Sequence, residues 1–402
     1  MSKNGSGGGG APVGASPIPP RAGDAAEISP ARILDRVNAT NDVSLTQAEV
    51  AALEAHAATS TEAGTLLGMH YFNSRQYDLA CKHAERVFKA APNARAARNL
   101  FSALGRTGRF DEGLTLLDAH GDLFDAIEEA ANRGRMYFHL GRQEEAVSQG
   151  TRALELKDAH TPVIARPTPV VRPFNAETPE RNVISFSLFG RDPSYRLGAV
   201  RNAIVARHLY PGWTPRFYVD SSVPQETLAQ LRAEGAQIRM APKLDAARYG
   251  LFWRFLVEDD PDVDIYLVRD ADSILNIRER MAVEDWLTSG KPYHVMRDHP
   301  LHSELILAGM WGAHRGNLSG MGRRILNHVD QNRAVLNSRM ADQRFLGKVL
   351  WSEIRRDALV HDAWFSFGTA RAFPKGADLP WPRHVGMNEV AGLARRDAQP
   401  EL

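Results

Sequence analysis

The stretch Leu267-Val268-Arg269-Asp270-Ala271-Asp272-Ser273 decides how the carboxy-terminal half of this chain is read. The apolar run Ile265 to Val268 has the make-up of a buried strand, and it ends in two carboxylates one residue apart. Side chains of a strand alternate between faces, so Asp270 and Asp272 can point to one side while Ala271 points away. Two hard oxygen donors at the rim of a sheet suit a Mg²⁺ or Mn²⁺ ion whose remaining positions are filled by phosphate.

A chain of this length holds about one or two Asp-x-Asp triplets by chance. Two others stand nearby, Asp260-Pro261-Asp262 and Asp262-Val263-Asp264. Ligands of open α/β sheets gather at the carboxyl ends of strands. Asp270 and Asp272 lie at that end, whereas Asp262 and Asp264 lie at the strand's entrance and read as a turn beside Pro261. The plain alternative for Asp270 and Asp272 is solvated charge capping a helix over Ile277–Leu287.

Outward from this motif, strands and helices alternate from Asn182 onward. Strands are expected at Val183–Phe189, Arg216–Val219 and Gln237–Met240, with helices at Leu197–Leu209, Gln225–Glu234 and Leu251–Glu258. That alternation predicts a mostly parallel sheet covered by helices on both faces. Such sheets commonly bind nucleotides at their carboxyl edge.

The amino-terminal half follows another rule. Leu67-Gly68, Tyr71, Tyr77, Ala80 and Pro92-Asn93 form a pattern that returns around Leu104, Gly108, Phe110 and Gly113, and again around Gly134, Tyr137, Gly141 and Ala146. Tyr77, Phe110 and Gln143 recur at intervals of 33 residues. The pattern resembles the tetratricopeptide repeat, with a degenerate middle copy; three copies suffice for a stable stack. Ile33 to Ala57 carries helical spacing and caps it. The expected organisation is α plus α/β: a tail over 1–30, helical repeats over 31–156, a Pro-rich linker over 157–180, the α/β domain over 181–390 and a flexible tail over 391–402. The groove of such a stack suits a protein partner; a spacer or a dimerisation surface fits equally well.

Composition narrows the class. With 49 basic and 48 acidic residues among 402, the net charge of +1 gives no bulk drive toward nucleic acid or anionic lipid. The one cysteine, Cys81, excludes an intrachain disulfide framework, suggests a reducing compartment and reads as a small core residue. No run of about 18 apolar residues marks a transmembrane segment, and Met1 to Gly23 lacks an apolar signal core, so a cytoplasmic protein is expected.

A family resemblance joins these readings. Phe186-Ser187-Leu188-Phe189-Gly190, Tyr210-Pro211-Gly212-Trp213, Phe252-Trp253-Arg254-Phe255, the Asp270 motif, Met296 to Pro300, Ala308 to Gly312, Asp342-Gln343 and His361-Asp362 stand in an order and spacing that resemble bacterial GT-A-type glycosyltransferases, from Val183 to Gly386. The resemblance implies a nucleoside-diphosphate sugar as donor and Mn²⁺ or Mg²⁺ on Asp270 and Asp272. It implies a base-binding loop after the first strand, where Tyr195 can stack and Arg191 and Arg196 can reach phosphate. Arg254 would meet the diphosphate or Asp270, unless it is a buried structural arginine. Gly309 and Trp311 would wall the sugar pocket, unless Trp311 belongs to the core. Asp342 and Gln343 would contact donor sugar or acceptor, unless they cap a helix. His361, ahead of His384, is the expected third metal ligand, and Asp298, ahead of Glu304, the expected general base of an inverting reaction.

The expected activity is therefore transfer of a sugar to a glycan, lipid-linked or protein acceptor. The rival is a repeat-based adaptor carrying an inactive domain of that kind. A Ser hydrolase lacks its Gly-x-Ser-x-Gly elbow. Phe189 to Pro193 makes a poor phosphate loop for a nucleotidyltransferase.

Overall fold

In a computed structural model of the chain, residues 29–40, 43–164, 168–242, 249–332 and 340–390 are described. Both expected tails, apart from Ser29 and Pro30, lie outside the described residues. The chain divides into two compact units, Met1–Arg109 and Phe110–Leu402.

Among the described residues the first unit holds five helices: α1 (Pro30–Thr40), α2 (Gln47–His56), α3 (Thr61–Asn73), α4 (Tyr77–Ala90) and α5 (Ala94–Thr107). Their starts are written in the sequence. Thr46 and Glu49 form a reciprocal capping box at α2, and Ser60 and Asn93 accept the backbone N–H groups of Ala63 and Ala96. Gly68 lets α3 approach α4: a Cβ there would stand 3.7 Å from the carbonyl of Ala80. Leu53, Leu66 and Leu67 close the core with Ile33 and Val37 of α1. Cys81 is buried.

The second unit begins with α6 (Phe110–His120), α7 (Ala126–His139) and α8 (Gln143–Ala159). Gly134 meets the carbonyl of Ala146 as Gly68 meets Ala80, two repeat periods on. The division between compact units thus falls within the repeats, ahead of the Pro-rich segment. The reason is packing. Leu154 of α8 belongs to the main core of the α/β fold, Asp158 accepts from the Trp351 indole at 2.6 Å, and Lys157 meets Glu304 at 2.9 Å.

Seven strands follow among the described residues: β1 (Asn182–Leu188), β2 (Thr214–Val219), β3 (Gln237–Met240), β4 (Ile265–Arg269), β5 (Tyr293–Arg297), β6 (Trp311–His314) and β7 (Ala358–Asp362). They form one sheet in the order β3-β2-β1-β4-β6-β5-β7. Only β6 runs against its neighbours; every other pairing is parallel. On one face α9 (Pro193–Leu209), α10 (Gln225–Ala233) and α11 (Ile277–Thr288) cover Ile184, Phe186, Ile265 and Leu267. On the other, Phe252 and Phe255 of a 3₁₀ helix (Gly250–Asp259) cover Val183, Tyr266 and Val268, with Ile325 of α12 (Met321–Gln331) and Phe345 of α13 (Ala341–Phe345). No helix among the described residues is long and apolar enough to cross a membrane.

Candidate functional site

Between β1 and β4 the strand order reverses direction: β2 and β3 lie to one side of β1, and β4 with all later strands to the other. At such a point the flanking loops diverge and leave a crevice at the carboxyl edge. The turn after β4 carries Asp270 and Asp272 into that edge. Helix α9 fixes the turn. Gly198 approaches so closely that a Cβ would overlap the carbonyl oxygen of Ala271, and Asn202 donates to the carbonyls of Ala271 and Ser273 while accepting the N–H of Leu275.

Asp270 follows the parity of Tyr266 and Val268, so it faces the 3₁₀ helix and meets Arg254 there. The Arg254 guanidinium pairs with Asp270 through Nη1 and with Asp342 Oδ2 at 2.7 Å through Nη2. Its backbone is stitched to β1, the N–H donating to Ser187 Oγ at 2.9 Å and the carbonyl accepting from Ser185 Oγ at 2.7 Å. Burial pushes the Asp342 carboxyl up to about 6, against the opposing pull of Arg254 and with help from neighbouring Asp270. Arg254 is held above its ordinary value as well: burial would lower it, but the charges of Asp270 and Asp342 beside it outweigh that cost. Arg254 Nε, Gln343 Oε1 and Arg196 Nε are buried polar atoms that find no hydrogen-bond partner among the described residues.

Asp272 accepts from Asn388 Nδ2 at 2.6 Å, and an isolated bridge joins Ser273 to Asn388. Gly309 lies against Asp270. Beneath the turn, Arg269 points to the opposite face, bonded to Glu279 at 2.5 Å and to the carbonyl of Trp311 at 2.8 Å. Arg191 and Tyr195 are exposed in the loop after β1, with Asp192 capping α9 through Ser194 N–H.

The structure thus brings together Asp270, Asp272, Arg254, Asp342 and Gly309. Three expected site residues stand elsewhere. His361 shares the face of Leu359, opposite that of Asp270, and β7 is the third strand from β4, about 14 Å away at the usual strand spacing. Its ring nitrogens are engaged by His294 at 2.8 Å and Asp285 at 3.0 Å, so it does not join Asp270 as a ligand. Trp311 is wholly buried between Phe255 and Tyr266, because β6 enters the middle of the sheet and leaves it no solvent face; it is a core residue, not a pocket wall. Asp298 is buried and clasped by Arg278 at 3.0 Å and by the N–H of Val385 at 2.9 Å, which leaves it badly placed as a base. Glu304, the second choice, pairs with Lys157. Gly198, Asn202 and Asn388 escaped the sequence reading; the Gly and Asn set one helical turn apart on α9, just after the first strand, was the available signal for the clamp.

Among the described residues no three His, Cys, Asp or Glu side chains are gathered to hold a metal ion. Two carboxylates at an accessible edge still match the donor set by which Mg²⁺ is usually held, one or two protein oxygens with phosphate and water completing the shell.

No protein-family description matches the sequence, and no curated protein matches it. Among solved structures the chain is similar to MamA AMB-1, at 26% identity over 34% of this chain and 83% of that one, TM-score 0.29. It is similar to MamA MSR-1 at 22% identity over 32% and 74%, TM-score 0.27. A mutant O-GlcNAc transferase of Thermobaculum terrenum shares 18% identity over 60% of this chain and 45% of that chain, TM-score 0.36. The chain spans less than half the length of that transferase. At these TM-scores none of the likenesses bears on function.

Proposed function

We propose that the α/β domain is a GT-A-like glycosyltransferase that takes a nucleoside-diphosphate sugar at the β1–β4 crevice. One observation carries the reading: Asp270 and Asp272 sit at the carboxyl edge where the sheet order reverses, backed by a buried arginine and a carboxyl poised near neutrality. Asp270 and Asp272 would hold Mg²⁺ or Mn²⁺, which when bound neutralises charge on the diphosphate leaving group. The chain's own residues supply the rest. Arg254 would orient Asp270, and Gln343, next to Asp342, carries a buried amide oxygen, without a partner among the described residues, that would accept from a sugar hydroxyl. Arg191, in the loop ahead of α9, and Arg196, in the first turns of that helix, would offer cations to phosphate. Tyr195, exposed on the same turn, offers a ring for a base.

A second reading, a repeat-based adaptor with an inactive domain, draws on the ion pair between Arg254 and Asp270. An arginine there supplies charge that a cation would otherwise supply. Thermal shift of the whole chain with nucleoside diphosphates and their sugars, with and without Mn²⁺, separates the two. The transferase reading expects a Mn²⁺-dependent rise in Tm that Asp270→Asn and Asp272→Asn abolish. A flat response to all of them would favour the adaptor.

A further inference from the structure

Away from the acidic pair, three imidazoles converge: His299, His302 and His384, with ring centroids 4.5 to 5.5 Å apart. Backbone partners decide which nitrogen of each ring carries the proton. His299 Nδ1 accepts the N–H of Leu301 at 3.1 Å, and His302 Nδ1 accepts that of Asp298 at 3.1 Å. An amide N–H only donates, so both rings hold their proton on Nε2. His384 is reversed. Its Nδ1 lies 2.9 Å from the carbonyl of Val385, which only accepts, so Nδ1 carries a proton and in the neutral ring the lone pair falls on Nε2. Two neutral rings of this tautomer cannot ligate a cation through Nε2, and a metal site is thereby disfavoured. The cluster instead offers two N–H donors and one acceptor in fixed positions.

An aromatic face adjoins it. Trp381 is 62% exposed, yet its ring is held parallel to His299 at 5.7 Å and edge-on to Phe138 at 6.2 Å and Trp364 at 6.4 Å. Phe138 belongs to α7, so the last helical repeat forms one wall and also meets His299 at 4.9 Å. The site carries little charge. Burial keeps His299 neutral down to about 4 and pushes His302 well below its ordinary value. Arg383 beside it is paired with Glu389 at 2.9 Å.

We propose that Trp381, His299, His302, His384 and Phe138 form a binding site for a neutral carbohydrate. A sugar presents an apolar C–H face that stacks on an indole and hydroxyls that both donate and accept. A platform with uncharged donors and an acceptor answers both needs, whereas phosphate or an acidic peptide would require cations. If the transferase reading holds, this is the acceptor site. Asn388, which touches Asp272, is four residues beyond His384, so at most about 14 Å separates their backbones. The glycan can be free, lipid-linked or protein-linked, since only its sugar face is recognised.

The test uses the full chain with maltotetraose, cellotetraose and chitotetraose, read by tryptophan fluorescence, and a glycan array for wider coverage. Saturable binding of at least one glycan is expected. Trp381→Ala should weaken it at least tenfold, Trp381→Phe by no more than about threefold, and His384→Ala at least threefold. Trp381 is exposed, so its truncation should leave Tm unchanged. Absence of binding across probes and array, or undiminished binding by Trp381→Ala, overturns the proposal. The Mn²⁺-dependent nucleotide shift should persist in Trp381→Ala. Glycan binding without any nucleotide shift in the wild type would overturn the transferase reading alone and leave a carbohydrate-binding site standing.

Discussion

Gly309 lies directly against the carboxylate of Asp270: a Cβ at 309 would overlap Oδ2 and stand 2.9 Å from the backbone nitrogen of Asp270. The missing side chain lets the loop before β6 press onto the end of β4. It also makes room for the Asp270 carboxylate in the position from which it pairs with Arg254.

Gly309→Ala should therefore displace the Asp270 carboxylate and break its pair with Arg254. Overpacking of this kind costs about 1–3 kcal/mol. Urea denaturation should show that loss, and the Mn²⁺-dependent nucleotide shift should vanish with it. A variant that keeps both wild-type stability and the shift would mean that Asp270 is not confined by this contact.

Sequence reasoning reached some of this arrangement and missed the rest for a definite reason. Strand and helix alternation follows from local pattern, so every strand expected between Val183 and Val268 is present within a residue or two. The 3₁₀ form of Gly250–Asp259 differs from the expected α-helix, since a crowded aromatic run packs on β1 through Ser185 and Ser187. Strand order is not a local property. Nothing near His361 says that β6 and β5 intervene between β7 and β4, or that its side chain falls on the other face. Trp311 is misread for the same reason, since Ala308-Gly309-Met310-Trp311-Gly312 looks like an exposed turn until β6 is seen to enter the sheet interior. Asn388 is far along the chain from Asp272, and no spacing rule connects them.

The repeats yield a second prediction. Arg75, Gly108 and Gly141 all adopt left-handed backbone, with φ of 61°, 75° and 73°, and they fall 33 residues apart. Each ends the first helix of its repeat. Only Arg75 carries a side chain there, and it is exposed. Left-handed backbone costs a non-glycine residue about 1–2 kcal/mol, partly offset by the greater freedom glycine has in the unfolded chain. Arg75→Gly should raise stability by about 0.5–1 kcal/mol, seen as a higher urea midpoint. A lower midpoint would show that the arginine side chain contributes more than its backbone strain costs.

Gly150 gives a third. Its Cα faces the Phe365 ring, and an added Cβ would overlap Cε1 and approach Cζ to 3.0 Å. This close fit seats α8 against the α/β fold beside Leu154. Gly150→Val should force the ring or the helix outward, at a cost of about 1–3 kcal/mol. Limited proteolysis should then cut near Lys157 faster than in the wild type. Equal cleavage rates would mean that α8 is held by Asp158 and Lys157 without need of the close fit.

Acid lability supplies the last prediction, because opposite shifts meet in one pH window. Burial lowers His314 and His299 to about 4, so the unfolded chain takes up protons near 6.5 that the folded chain refuses. Each therefore withdraws stability as pH falls from 6.5 toward 4. Asp342 acts the other way. Its folded value of about 6 exceeds the ordinary 3.8, so the folded state holds its proton longer, and a penalty grows as pH rises from about 4 to 6. Two histidines outweigh one carboxyl, and Tm should climb between pH 4.5 and 6.5. His314→Asn, whose side-chain oxygen can still accept the N–H of Arg172, should flatten the climb. Asp342→Asn should lower Tm through loss of the Arg254 pair yet make the climb steeper. A wild-type Tm that falls across this window would show that the Asp342 carboxyl dominates, and would place its neighbourhood under stronger electrostatic strain than the Arg254 pairing implies.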